Sequence, residues 1–352
     1  MEKPNNQIRI KDIARLAGVS AGTVDRVLHG RGKVSEKSAA KVKEALEQIE
    51  YQPNVYASAL AMRKQLHYIC VLPAHEAGDY WEMVDMGIKK AGREFLPLHV
   101  TMTHLYYDQF DRYSCRAVFE QVADTDADAV LLAPFFREES EVLIGKLTER
   151  GTPYVFLDSK IESASPLAYF GQDSFQSGAV AAKLLMMGLK SDATVAMFHF
   201  TRTGNQGANQ TTERKKGFLN YLSVHYPECH CYPVELHATD HEANRMKLEE
   251  AFAKEPETSG AVVFNSLTFR VVDYIEQVKH PAIKLIGYDL LKRNRVCLQN
   301  GQVSFLIAQR PEQQGYLAVK SLSEHLLFNK DVMQMNYMPI DVVMEENLQF
   351  NA

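Results

Sequence analysis

IKDIARLAGVSAGTVDRVLHGRGKVSEKSAAKVKEALEQIEYQPNVYASALA, residues 10–61, is the stretch whose reading decides how the chain is built. Ile13, Ala14 and Ala17 fall at i, i+1 and i+4 on one face of a short helix, and Val24, Val27 and Leu28 fall at i, i+3 and i+4 on a second. Gly18-Val19-Ser20 separates the two as a turn, with Ser20 placed as the N-cap of the second helix. Ser35 opens a third helix that carries Val42, Leu46 and Ile49 inward. Two short helices around a tight turn, closed by a third, form a helix-turn-helix, in which the second helix enters the major groove and the first crosses the backbone.

Charge supports that reading. Residues 1–66 hold 12 Lys+Arg against 7 Asp+Glu, while the remainder holds 27 against 37. A basic head on an acidic body brings the head to phosphates and keeps the body off them. The 352 residues exceed one ordinary core, and 46% hydrophobic with 24% charged residues is the balance of a soluble globular chain. No run of about 18 apolar residues exists and the opening MEKPNNQIRIKD is polar, so a cytoplasmic protein without membrane contact is expected. Five scattered cysteines imply reduced thiols. Cys229-His230-Cys231 lacks a second ligand pair at zinc spacing and reads as a thiol pair without a role. No metal or cofactor is expected.

The opening IKDIARLAGVS, the T-V-x-R-V-L after it, the V-S before helix three and the Y-x-P-N beyond it resemble the LacI family of bacterial transcription regulators, in order and in spacing. The resemblance implies that Ala21, Gly22 and Arg26 read bases, Arg26 through a bidentate guanine contact worth about 1–3 kcal/mol of discrimination. Asp25 stands where the family often has Ser; it either accepts from a cytosine amino group or orients Arg26. Thr23, Lys33, Ser35 and Lys37 are candidate phosphate partners, which position without specifying. The segment from Pro53-Asn54 through Leu60 is too short to be a stable helix alone. In the family it folds when two copies meet over the minor groove, where Leu60 matches the inserted leucine and Asn54 belongs to the DNA-contacting set. A homodimer on a pseudo-palindromic operator follows from the resemblance.

From residue 68 short apolar runs alternate with helical stretches about every 25–35 residues, the pattern of βαβ units and parallel sheets. Strands are expected at 68–72, 98–103, 129–133, 154–157, 194–199, 232–236, 261–264, 284–287 and 304–308, with 165–171 as a connection. The fold class is α/β: a three-helix head and hinge, then two Rossmann-like lobes. This body resembles the type I periplasmic sugar-binding proteins, in GQDSFQSGAVAAKLL (171–185), ERKKGF (213–218), IGYD (286–289) and IAQRPEQQGYLAV (307–319). The expected division is a head at 1–50, a hinge at 51–65 and a ligand-binding and dimerisation domain at 66–352. Its first lobe is expected at about 66–165 plus 290–309, and its second at about 168–288 plus 312–352.

In such sheets ligands gather beyond the carboxyl ends of the strands. Asp158, Asn265, Asp289 and Gln309 end apolar runs, and Arg214 opens a helix. These five match the residues that hold sugar hydroxyls in the sugar-binding relatives. Carboxylates accept, amides give and take, and a guanidinium spans adjacent oxygens. Tyr80 and Trp81 take the place of the family's aromatic pair, a face for the C–H surface of a sugar. Phe135-Phe136-Arg137 and His199-Phe200-Thr201-Arg202 also end strands and are further candidates for the lining. Ser159 after Asp158, and Gly78 where many sugar binders carry Asn, leave the ligand open among pentose, hexose, sugar phosphate and non-sugar. The function expected is a transcription regulator under small-ligand control. The alternatives are a solute-binding protein for transport and a sugar-processing enzyme, the latter without a Walker A, Gly-x-Ser-x-Gly or His-Glu-x-x-His motif.

Overall fold

Gly18, at φ +61°, ends the first helix as only a residue free of Cβ strain does cheaply. With it in the left-handed region, the Val19 amide returns to the Ala14 carbonyl at 3.0 Å, the six-to-one bond of a Schellman turn. The chain emerges at Ser20, whose hydroxyl accepts from the Thr23 amide at 3.1 Å and starts the next helix. Ser35 caps the third helix in the same way, through the Ser38 amide at 3.3 Å. The result is α1 (Ile10–Ala17), α2 (Ala21–Leu28) and α3 (Glu36–Gln48) around Ile13, Ala14, Ala17, Val24, Val42 and Ala45.

The computed structural model describes residues 10–28, 32–49, 65–201, 209–278 and 283–351. The chain divides into two units, residues 1–62 and 63–352. The hinge segment, with Asn54 and Leu60, lies outside the described residues, as does Arg202.

In the larger unit the first sheet contains β1 (Leu66–Pro73), β2 (Val100–Tyr107), β3 (Ala129–Leu132), β4 (Tyr154–Leu157), β5 (Ala168–Gly171) and β11 (Met335–Tyr337). Their order is β11-β5-β4-β3-β1-β2, with every pair parallel. The second contains β6 (Thr194–Thr201), β7 (His230–His237), β8 (Thr258–Val263), β9 (Lys284–Tyr288), β10 (Phe305–Ala308) and β12 (Asp341–Val343) in the order β12-β10-β9-β8-β6-β7. The two orders are the same pattern repeated. Central strands such as β3 and β4 are buried at every residue, as apolar strands covered by helices on both faces must be. The helices are α4 (Tyr80–Phe95), α5 (Arg112–Asp124), α6 (Arg137–Arg150), α7 (Ser174–Met186), α8 (Asn209–His225), α9 (His241–Lys254), α10 (Thr268–Val278), α11 (Lys292–Gln299) and α12 (Pro311–Phe328).

The pairings correct the expected lobes. Residues 168–171 are a strand of the first sheet, hydrogen-bonded to β4, and not a connection. Residues 305–308 pair with β9, so 290–309 belong to the second lobe. Helix α12 packs on α4, β4 and β5, and 335–337 extend the first sheet, so only 341–351 return to the second lobe. The chain thus crosses between lobes near residues 172, 309 and 339. Gln172 ties the crossings together: its buried amide donates to the carbonyls of Ala308 at 2.7 Å and Pro339 at 2.6 Å.

Glycines set how closely the cleft-bearing helices approach their neighbours. A methyl on Gly178 of α7 would overlap the Arg214 carbonyl of α8, and one on Gly217 would overlap the Phe175 carbonyl. Helices α4 and α12 meet the same way, Gly87 against the Glu312 carbonyl and Gly315 against that of Val84. Backbone lies on backbone at both crossings, so the obstacle is not a side chain that turns aside. Gly178→Ala is therefore expected to destabilise the body by at least about 1–3 kcal/mol, outweighing the roughly 1 kcal/mol of helix propensity that alanine gains. Gly145→Ala, on an open face of α6, is expected to be neutral or stabilising. Urea midpoints of the two variants check this, and equal midpoints refute the crossing's importance.

Candidate functional site

Two aspartates are placed by the same backbone device. Asp158 follows β4 and Asp289 follows β9, at equivalent points of the repeated order, with φ +66° and +70°. Each amide still bonds the adjacent strand, Asp158 to the Phe170 carbonyl at 2.8 Å and Asp289 to that of Ile307 at 2.9 Å. The next step is left-handed, a conformation Asp tolerates better than most residues. Both carboxyls line a single cavity of about 140 Å³ together with Tyr80, Trp81, Arg214, Asn265 and Gln309. All seven body residues singled out in the sequence therefore meet in one place. Of the further candidates, Phe135, His199 and Phe200 also line it, whereas Phe136 packs in the first lobe's core and Arg137 pairs with Glu141 at 3.0 Å.

A chain of hydrogen bonds crosses the cleft. The Tyr80 hydroxyl and the Gln210 amide both donate to Asp158 Oδ1 at 2.6 Å. The same Gln210 nitrogen donates to Gln309 Oε1 at 2.8 Å, and Gln309 Nε2 donates to Asp289 Oδ1 at 2.7 Å. Gln210 is thus the central donor, and the sequence reading missed it. Its one signal is its place in the first turn of α8, one turn before Arg214, where a side chain faces the strand ends. Thr211, Leu267 and Arg270 of the lining were also missed.

Arg214 is wholly buried. Its Nη1 donates to the Phe264 carbonyl at 2.8 Å, and the guanidinium lies 3.9 Å from the centre of the Tyr288 ring. Nε and Nη2 have no hydrogen-bond partner. Buried donors without partners are rare and costly, and here they border a cavity. Burial pushes the Asp289 carboxyl up to about 7, against the lowering effect of Arg214 and the Gln309 hydrogen bond. Burial also raises Asp158, opposed by Arg214 and by the bonds from Tyr80 and Gln210. Tyr80 and Trp81 meet edge to face at 5.2 Å, each nearly buried.

On the head, Ala21, Gly22 and Arg26 are exposed on α2, while Val24 is buried beneath them. A Cβ at Gly22 would make only ordinary contacts, so nothing inside the head requires glycine there. Lys33, Ser35 and Lys37 are exposed, and Thr23 and Asp25 are half-buried. The Ser35 hydroxyl donates to Ser38 Oγ at 2.9 Å, and the Thr23 hydroxyl pairs with Ser20 Oγ at 2.9 Å.

Residues 9–54 match the bacterial regulatory proteins of the lacI family, and residues 69–330 match the periplasmic binding protein domain. A solved structure from Bacteroides fragilis assigned to the LacI transcriptional regulators is 37% identical, with TM-score 0.77, covering 82% of this chain and 99% of that one. The chain belongs to the LacI family. Among curated relatives of this LacI-family chain, the Bacillus subtilis "Probable HTH-type transcriptional repressor ExuR" is 26% identical over 236 residues, 65% of this chain and 64% of that protein. The match therefore spans just under two thirds of that relative's length. A glucose-galactose binding protein from Geobacillus stearothermophilus, 22% identical with TM-score 0.71 over 81% of this chain and 99% of that one, shares the fold. Among the described residues, no helix is long and apolar enough to cross a membrane and no group of three or more His, Cys, Asp or Glu is placed to hold a metal.

The Asp289 shift has a consequence for stability. A carboxyl raised from about 3.9 in the unfolded chain binds its proton more tightly when folded, so stability is complete below about pH 4 and declines up to pH 7. The expected result is a melting temperature that falls across that window in the ligand-free protein, with a slope contribution of at most about 1.4 kcal/mol per pH unit. Asp289→Asn should flatten the fall, and thermal melts at matched ionic strength measure it. An unchanged pH profile in the variant contradicts the assignment.

Proposed function

We propose that this LacI-family chain is a homodimeric operator-binding regulator whose affinity for DNA is set by a sugar of monosaccharide size held in the body cleft. The observation that carries the reading is Arg214. Two of its buried donors have no partner, and the residue lines a cavity together with Asp158, Asp289, Asn265 and Gln309 from other chain segments. Vicinal hydroxyls meet such a set, since each hydroxyl donates to Asp158 or Asp289 and accepts from Arg214, Asn265 or Gln309. Tyr80, Trp81 and Phe135 supply the apolar walls that pack on sugar C–H faces. The cavity of about 140 Å³ lies below the roughly 300 Å³ at which drug-sized pockets begin, which favours one ring over two. The names of the relatives agree with a carbohydrate in this cleft.

In the head, Ala21, Gly22 and Arg26 form the exposed edge of α2 that reads bases, with Asp25 beside it. Lys33 and Lys37 are the stronger phosphate partners. Ser35 must give up its bond to Ser38 Oγ to donate to a phosphate, whereas Thr23 keeps its hydroxyl hydrogen for a phosphate when Ser20 is the donor of their shared bond. The segment 51–65 couples the two functions. Ligand binding shifts the lobes, and the segments that carry Asn54 and Leu60 order or melt over the minor groove.

A thermal-shift screen of pentoses, hexoses and their acids and phosphates tests the cleft, because a ligand that binds only the native state raises its melting temperature. The active sugar should lose its shift in Asp289→Ala while that variant still melts cooperatively. A shift that survives intact moves the site elsewhere. For the hinge, Leu60→Ala is expected to weaken binding to an operator from the chain's own promoter region at least tenfold at fixed salt, with sugar affinity nearly unchanged. Equal operator affinity in the variant would falsify the coupling role.

A further inference from the structure

Far from the cleft, the second lobe carries two thiols side by side. Cys229 and Cys231 flank His230 at the start of β7, an edge strand. Alternation sends the two sulfurs to one face and the imidazole to the other, where it pairs with Glu255 at 3.2 Å. The Sγ atoms are 4.0 Å apart, within hydrogen-bond reach of each other. Both residues are half-buried beside Tyr221, Tyr226 and Leu222, whereas Cys70, Cys115 and Cys297 are buried singly. The cleft lies at the other end of the sheet, near Phe200, which is level with Leu236. From Cys231 to Leu236 is about 17 Å along the strand at about 3.3 Å per residue.

We propose that Cys229 and Cys231 form a redox-active dithiol that a hydroperoxide converts to an intrachain disulfide. The Cys229 sulfur attacks the peroxide, the O–O bond breaks, and a sulfenic acid and one water (or alcohol) result. The Cys231 sulfur, its proton passing to the departing oxygen, then attacks Cys229, breaks the S–O bond and releases a second water. Two thiols lose two electrons and two protons, and the peroxide gains them. Cys229 attacks first because it precedes the ladder and is free to turn toward the peroxide, whereas Cys231 is held within β7. Closure brings the sulfurs from 4.0 Å to about 2.05 Å. Cys229 absorbs this movement because it precedes the ladder, whose first rung here is the His230 amide on the Ala193 carbonyl at 3.0 Å. The three buried thiols each lack such a partner and are pushed up by burial, which leaves them inert.

The test uses the full chain, reduced, freed of reductant and exposed at neutral pH to a small excess of hydrogen peroxide. It is then unfolded, alkylated with iodoacetamide and weighed intact. The expected outcome is loss of two of the five alkylation sites, reversed by dithiothreitol, with the missing pair in the peptide containing 229 and 231. Cys229→Ser should keep all its remaining sites, Cys231→Ser should lose one, because the sulfenic acid on Cys229 has no thiol to resolve it, and Cys297→Ser should still lose two. The proposal is overturned if the parent chain keeps every site, if Cys229→Ser still loses two, or if oxygen accumulates on Cys229 of the parent chain without ring closure.

Discussion

Backbone pressed against backbone at two helix crossings is the constraint on which the cleft depends. Gly178 and Gly217 bring α7 onto α8, and Gly87 and Gly315 bring α4 onto α12. Each crossing fixes a helix whose N-terminal end looks over the strand ends: Tyr80 and Trp81 on α4, Gln210 and, one turn later, Arg214 on α8. Were the helices held apart by side chains, those helix ends would stand off by the thickness of a methyl group, and hydrogen bonds of 2.6–2.8 Å across the cleft would be out of reach. Hydrogen bonding falls off too steeply with distance to tolerate such an error.

The repeated sheet order gives the cleft its chemistry in duplicate. Asp158 and Asp289 stand at matching strand ends, share the left-handed backbone and share burial. Their partners differ: Tyr80 and Gln210 serve Asp158, and Gln309 serves Asp289. Asp158 accepts two charge-assisted bonds and Asp289 one, and each bond works against the rise that burial imposes on its carboxyl. Three crossings joined through Gln172 allow the lobes to move about one region, as a hinge made of a few residues at element ends does.

Much of this was legible in the residues. The head's helices follow from apolar spacing and from Ser20, Gly18 and Ser35, because capping and turn chemistry act over three or four residues. The strand-end polar set was legible for a similar reason: VFLD, AVVFN, LIGYD and SFLIAQ each announce where a buried strand stops. What escaped was non-local. The strand 168–171 is four residues long and without alternation, so only its bonds to β4 define it. The lobe to which 305–308 belongs depends on a partner strand, and periodicity carries no information about partners.

By itself, then, the sequence determined a basic three-helix head, an α/β body and the polar residues at its strand ends, since each rests on short-range periodicity, caps and charge. Only the tertiary structure decided which strands share a sheet, that Gln210 joins the two lobes, that Arg214 keeps two donors free, and that the Cys229 and Cys231 thiols meet. Those facts are distances between atoms remote in the chain or turned by a particular backbone path, and the close packing of helices on sheets is what sets them.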